Sequence, residues 1–171
     1  MIIRDAMDAD LDAILAIHNA AIRDSTAIWT DVEVDRADRE RWLAEHRRDG
    51  FPVIVAEVDG MTVGYACTGR WREKIGYRHT VENSVYVAST HHGQGIGRAL
   101  LAELIERSRA AGIHVIVAAI EAQNAPSIRL HESLGFVPAG IVREVGTKFG
   151  RWLDLAHLTL TLPHEPPEHE V

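Results

Sequence analysis

The stretch from Thr80 to Leu101 constrains this chain more than any other: Thr-Val-Glu-Asn-Ser-Val-Tyr-Val-Ala-Ser-Thr-His-His-Gly-Gln-Gly-Ile-Gly-Arg-Ala-Leu-Leu. Val81, Val85, Tyr86 and Val87 are strand formers. Gly93, Gly95 and Gly97 stand where a strand hands over to a helix, and Arg98 to Ala111 carries Leu100, Leu101, Leu104 and Ile105 at helical spacing before Gly112. A glycine-rich turn at a helix start offers bare backbone N–H groups and the positive end of the helix dipole, a combination that binds phosphate. The stretch therefore predicts a strand–turn–helix unit with a pyrophosphate cradle over Gly93 to Arg98. A titratable Glu82 lies one strand-length upstream.

The elements around it follow from local signals. Met1 to Arg4 reads as a short strand, and Asp8 as the N-cap of a helix reaching about Arg23. Asp24 to Val34 is a loop containing Trp29, and Asp35 to Asp49 a charged helix stopped by Gly50. Strands over 51–58 and 62–69 flank the hairpin signal Asp59-Gly60. Residues 70–79 form a loop of mixed charge and aromatics. His114 to Glu121 is a near-continuous apolar run, the pattern of a strand buried on both faces and parallel to the one before the glycine turn. A short helix from Asn124 or Ala125 to Ser133 and strands over 136–145 and 152–162 complete the chain. The order β-α-α-β-β-β-α-β-α-β-β predicts an α/β (α+β) domain. Its central sheet is mixed and mostly antiparallel, with about seven strands and helices on both faces. One domain is expected over 1–162, with a disordered Pro- and Glu-rich tail over 163–171.

Composition narrows the function. A net charge of -7 argues against a nucleic-acid backbone as ligand. No apolar run approaches the roughly 18–20 residues of a membrane span, and the N-terminus lacks the pattern of a signal peptide. The single Cys67 has no internal disulfide partner and fits a reducing cytoplasm, as a small buried hydrophobe. His91 and His92 are adjacent and point apart on an extended backbone, and His131-Glu132 lacks the second histidine of a zinc motif, so no metal is expected.

Several phosphate-binding patterns compete at the glycine turn. No Lys-Ser or Lys-Thr pair follows Gly97, which excludes a P-loop, and Arg98 breaks the dinucleotide spacing. Glycines that merely cap a structural helix are the bland alternative. The string His92-Gly-Gln-Gly-Ile-Gly97 resembles the acetyl-coenzyme A loop of the GNAT acetyltransferases, with His92 where that family carries Gln or Arg. Asn124-Ala-Pro-Ser-Ile-Arg-Leu-His131-Glu-Ser-Leu-Gly-Phe136 resembles their second signature, with His131 where many members have Tyr. Thr80 to Val87, Arg129 to Phe136 and Lys148-Phe-Gly-Arg-Trp152 are most similar to the phosphinothricin and methionine sulfoximine or sulfone N-acetyltransferases.

That resemblance implies acetyl transfer from acetyl-CoA to the α-amine of a small glutamate-like amino acid, by direct attack in a ternary complex. Such chemistry needs a base for the ammonium, since only the neutral amine attacks, and a thioester carbon held about 3 Å away. Glu82 is the candidate base; the alternatives are a solvated strand carboxylate or a partner of Arg78. His131 is a candidate acid or proton relay, against a half-buried structural histidine. The resemblance assigns the cofactor to Val85, Tyr86 and Val87 through their backbone, to His92, Gly93, Gln94, Gly95, Ile96, Gly97 and Arg98 at the pyrophosphate, and to Asn124 and Ser127. Asn124 is equally a helix cap. The substrate is expected among Trp29, Arg72, Lys74, Ile75, Gly76, Tyr77, Arg78 and Asn83, with the loop cations facing a carboxylate or acidic mimic. A homodimer is expected from the same resemblance. An enzyme for another amine, such as a polyamine or a protein N-terminus, and a non-catalytic acetyl-CoA-binding regulator remain the alternatives.

Overall fold

The computed structural model describes residues 1–163, so the expected tail lies outside the described residues apart from Pro163. In chain order the elements are β1 (Ile2–Asp5), α1 (Leu11–Asp24), α2 (Arg36–Asp49), β2 (Val53–Val58), β3 (Met61–Arg70), β4 (Thr80–Val87), α3 (Ile96–Ala110), β5 (Val115–Glu121), α4 (Ala125–Glu132), β6 (Val137–Lys148) and β7 (Arg151–Thr161). The strands form one seven-stranded sheet in the order β1-β2-β3-β4-β5-β7-β6. Every neighbouring pair is antiparallel except β4 with β5. The mixed sheet with one parallel crossover is the expected architecture.

Strand alternation divides the core between two faces. On one face, Leu11, Ile14 and Ile17 of α1 and Leu43 of α2 pack on Val53, Val55, Tyr65 and Cys67. On the other, Leu100 and Leu104 of α3 pack on Ile54, Ala56 and Ala66, while Leu101 and Ile105 pack on Val81, Ile116 and Ala118. Each Leu, Ile or Val among them, fully buried, contributes about 1.5–3 kcal/mol.

Three boundaries differ from expectation. Asp8 does not cap α1: it opens a short 3-10 turn and forms an ion pair with Arg47 at 2.7 Å. Asp10 holds this corner instead. Its burial alone would push its carboxyl up, but bonds from Arg4, Thr62 and the Met7 N–H outweigh that and hold it at about 2. Helix α3 starts at Ile96 rather than Arg98, because Gly93 (φ 76°) and Gly95 (φ 80°) turn the chain in left-handed conformations that glycine adopts without strain. Strand β6 runs to Lys148, past its expected end, by absorbing two register shifts between Pro138 and Gly140 and between Val142 and Gly146.

One departure from regular pairing makes the site. Thr80, Val81 and Glu82 of β4 pair with Val115, Ile116 and Val117 of β5. Beyond Glu82 the two strands part. β4 continues against β3 as far as Val87, and β5 continues against β7 as far as Glu121. From Asn83 to Val87 one edge of β4 thus has no strand beside it.

Candidate active site

Glu82 stands at the point where β4 and β5 separate. It shares its face with Ser84 and Tyr86, because residues two apart on a strand point the same way. Its cross-strand neighbour is Gly69, and a Cβ built there meets nothing within 4 Å, so the space beside the carboxylate is open. Glu82 is half-buried and forms no ion pair among the described residues, which removes the Arg78 pairing. Burial raises its carboxyl above the usual 4.5, opposed by the charge of Arg72. A carboxylate made more basic, with room beside it, suits proton uptake from an ammonium.

Two other titratable groups near this face are unsuited to chemistry. Burial, reinforced by Arg39, brings His18 down to about 4, and its Nδ1 lies 2.9 Å from the Tyr65 hydroxyl. Burial pushes the Cys67 thiol up to about 12, far from the thiolate an acyl-accepting nucleophile requires.

His131 and Asn83 occupy the opposite face of β4 from Glu82. The His131 ring is 3% exposed, with Nε2 at 2.9 Å from the Asn83 side-chain amide and Nδ1 at 2.8 Å from the Ser127 carbonyl. The structure therefore sets Glu82 and His131 on opposite faces of β4, with no hydrogen bond between them.

The glycine turn lies at the far end of β4. Gly93 and Gly95 have no neighbour within 4 Å of a Cβ position, leaving their backbone accessible. His92, at the expected Gln or Arg position, donates from Nε2 to the Val87 carbonyl at 2.9 Å and ties the turn to the end of the strand. The Gln94 amide reaches the Thr90 carbonyl at 3.4 Å. Arg98 is turned to the end of α4, where it donates to the Ser133 carbonyl at 3.3 Å and to its hydroxyl, away from the turn. Asn124 caps α4 by accepting from the Ser127 N–H at 3.2 Å.

The Acetyltransferase (GNAT) family signature matches residues 14–136. The chain belongs to this family. It is 52% identical over 161 residues, 94% of each chain, to an L-methionine sulfoximine/L-methionine sulfone acetyltransferase of Pseudomonas aeruginosa. Its fold is similar to a ribosomal-protein-alanine N-acetyltransferase from Brucella melitensis (TM-score 0.94, 53% identical, covering 95% of this chain and 100% of that one). It is also similar to the acetyltransferase yncA from Salmonella typhimurium, solved with its cofactor acetyl-CoA (TM-score 0.97, 47% identical, covering 100% and 99%).

Three features of this GNAT chain fit that cofactor. They are the accessible backbone of Gly93 and Gly95 at the start of α3, the unpaired edge from Asn83 to Val87, and the gap between β4 and β5. An extended amide-bearing arm can bond such an edge as an added strand would.

The substrate residues expected from sequence do not all gather at Glu82. Arg72 stacks on Trp71 at 3.9 Å, and Trp71 meets His157 edge-on. Arg72 lines, with Lys74, Ile75, Tyr77, Arg78, Phe51 and Ser108, a cavity of about 300 Å³ whose lining does not include Glu82. Gly76 falls in the same 3-10 turn. Trp29 packs its ring over Gly146 of β6, close enough that a Cβ there would stand 2.1 Å away, and donates from Nε1 to the Thr26 carbonyl.

Sequence reasoning missed two buried charged residues. Lys148, 2% exposed, donates to the carbonyls of Ser25 at 2.7 Å and Ile28 at 2.6 Å, and to that of Ile22. It fastens the Trp29 loop to β6. Glu121, 7% exposed at the end of β5, accepts from the Thr26 hydroxyl at 3.3 Å and the Gln123 N–H at 3.1 Å. Glu121 was visible as an acidic strand end, but its partner is 95 residues away in sequence.

Proposed function

We propose that this chain is an N-acetyltransferase for small amino acids. It moves acetyl from acetyl-CoA to the α-amine of a glutamate-like substrate or analogue: methionine sulfoximine, methionine sulfone or phosphinothricin. The observation that carries this reading is Glu82, a half-buried carboxylate without an ion-pair partner, with open space beside it over Gly69. When bound, acetyl-CoA supplies an activated acetyl thioester. The residues of the chain do the rest. Glu82 would take the ammonium proton, directly or through water, so that in a ternary complex the freed amine could form its C–N bond to the acetyl carbon as the C–S bond breaks, the coenzyme A thiolate leaving and taking a proton from solvent. The buried Cys67 thiol supports direct attack, since it offers no acyl-accepting thiolate. Backbone N–H groups at Gly93 to Gly97 hold the pyrophosphate, the β4 edge from Val85 to Val87 orients the arm, and no metal takes part. Arg72, the one loop cation whose charge bears on Glu82, receives the substrate carboxylate.

The names of the relatives support an amino acid as acceptor, and the Brucella protein's name favours one rival, an N-terminal alanine of a protein. Thiol release measured with a panel of methionine sulfoximine, methionine sulfone, phosphinothricin, spermidine and an alanine-ended peptide decides between them. Turnover on the three amino-acid analogues at least 10-fold above that on the peptide and spermidine is the expected result, the scale of about 1–3 kcal/mol of differential binding. Preference for the peptide sinks the amino-acid reading, and thiol release with none of the amines leaves only a binding module.

The same reading makes 1–162 a single domain working in the cytoplasm as a homodimer, without nucleic acid or membrane. Among the described residues no helix is long and apolar enough to cross a membrane. The dimer contact we infer is β6. It is an edge strand, and Val137, Ile141, Val142, Val145, Phe149 and Trp152 along this hairpin are all exposed. Sedimentation is expected to give a dimer that Ile141→Glu converts to monomer; a monomeric wild type refutes the contact.

A further inference from the structure

Asn83 and His131 define each other's hydrogens. A carbonyl only accepts, so the contact with Ser127 puts the ring proton of His131 on Nδ1. Burial lowers the pKa of the ring, partly offset by that bond, so the imidazole is neutral and Nε2 carries a lone pair. Asn83 must then donate from Nδ2 to Nε2, which fixes the orientation of its amide: nitrogen towards the ring, oxygen away from it.

That oxygen has no hydrogen-bond partner among the described residues, and Asn83 is only 6% exposed. Buried acceptors are seldom left unmade, because desolvation is not repaid. Asn83 is also the first residue of β4 beyond its last pair with β5, so it lies where the two strands begin to part. It belongs to the face on which α3 and α4 lie, with Val81 and Val85, and not to the Glu82 face.

These observations leave His131 without a free nitrogen for acid catalysis. Passing a proton through Nε2 would require breaking the Asn83 bond, and Nδ1 is held by Ser127. We propose that Asn83 is the member of the pair that meets the cofactor. Its Oδ1 accepts an amide N–H from the pantetheine arm, and His131 is a positioning residue that holds the amide with its oxygen turned away from the ring. The donor is the arm rather than the amine, because the amine must reach Glu82 on the opposite face. A neutral amide acceptor also suits a neutral N–H donor.

This inference rests on acetyl-CoA being the cofactor, so the test begins with wild-type protein. Calorimetry with coenzyme A and thiol release with methionine sulfoximine come first; absence of both refutes the acetyltransferase reading itself. With both present, Asn83→Leu is expected to weaken coenzyme A binding by about tenfold, the scale of one hydrogen bond to a buried group. The KM for acetyl-CoA should rise in step, while the KM for the amino acid changes less than about twofold. Unaltered coenzyme A affinity, or an effect on the amino-acid KM instead, overturns the assignment. Nitrogen NMR of the His131 ring in wild-type protein needs no variant. Nδ1 protonated and Nε2 bare, with and without coenzyme A, is the expected state. Protonation of Nε2 on coenzyme A binding overturns the positioning role and restores His131 as an acid.

Discussion

Glu82→Gln is expected to lower kcat by about 10²–10⁴-fold, the usual contribution of a positioned base, while coenzyme A affinity stays within about threefold. Glutamine keeps the size and can still accept a hydrogen bond, but it cannot take a proton from the ammonium. Cofactor binding is spared because the glycine turn and the free β4 edge lie beyond Glu82 along the strand. The pH profile provides a second readout. Burial holds the Glu82 carboxyl above 4.5, so wild-type kcat/KM should rise with pH through that elevated value as the base ionises. The glutamine variant should lack this acidic limb. Stability separates chemistry from damage. A carboxyl whose folded pKa lies above its unfolded one binds more protons when folded, so ionisation at higher pH costs stability. The variant should therefore melt no lower than wild type at neutral pH. Turnover equal to wild type would remove Glu82 from the mechanism.

Lys148→Met should cost about 3–5 kcal/mol and lower the melting temperature by roughly 10 °C. Lys148 supplies three donors to three backbone carbonyls at and beyond the end of α1, in a place water does not reach. Methionine fills much the same volume and leaves all three acceptors unpaired. That loss is a large share of the 5–15 kcal/mol by which domains are stable. It also frees the loop carrying Thr26 and Trp29, so the KM for the amino acid should rise while acetyl-CoA binding changes little. Calorimetric melting with steady-state kinetics checks both parts. A variant that melts with wild type would mean that the Lys148 bonds contribute nothing net.

Much of the fold was legible because its signals are local. Asp35 caps α2 and Gly50 ends it, Asp59-Gly60 turns a hairpin, and the apolar run from His114 to Glu121 reads as a buried strand, which the structure forms over Val115–Glu121. Asp8 misled because its capping residue type suits many starts, whereas the real corner depends on Arg4 and Thr62 reaching Asp10. The loop cations misled similarly. Arg72, Lys74 and Arg78 are close in sequence and all line one cavity, but Glu82 is not in its lining and only the charge of Arg72 bears on Glu82. Arg98 looked like a phosphate ligand because it follows the glycines; the tertiary fold gives it Ser133 instead.

What the sequence by itself determined is the set of chemical parts and their order. These are a carboxylate on a strand, a glycine turn opening a helix, and a histidine on the helix after the crossover, sufficient to identify a GNAT chain. What only the tertiary structure decided is how those parts face one another. Alternation places Glu82 and Asn83 on opposite faces, but where β4 leaves β5 depends on pairings across the whole sheet. That departure puts Glu82 beside open space and Asn83 against His131, and it turns a local strand–turn–helix pattern into a site open between two strands. Hydrogen-bond partners 48 and about 120 residues apart, at His131 and Lys148, follow from packing and have no local signature to read.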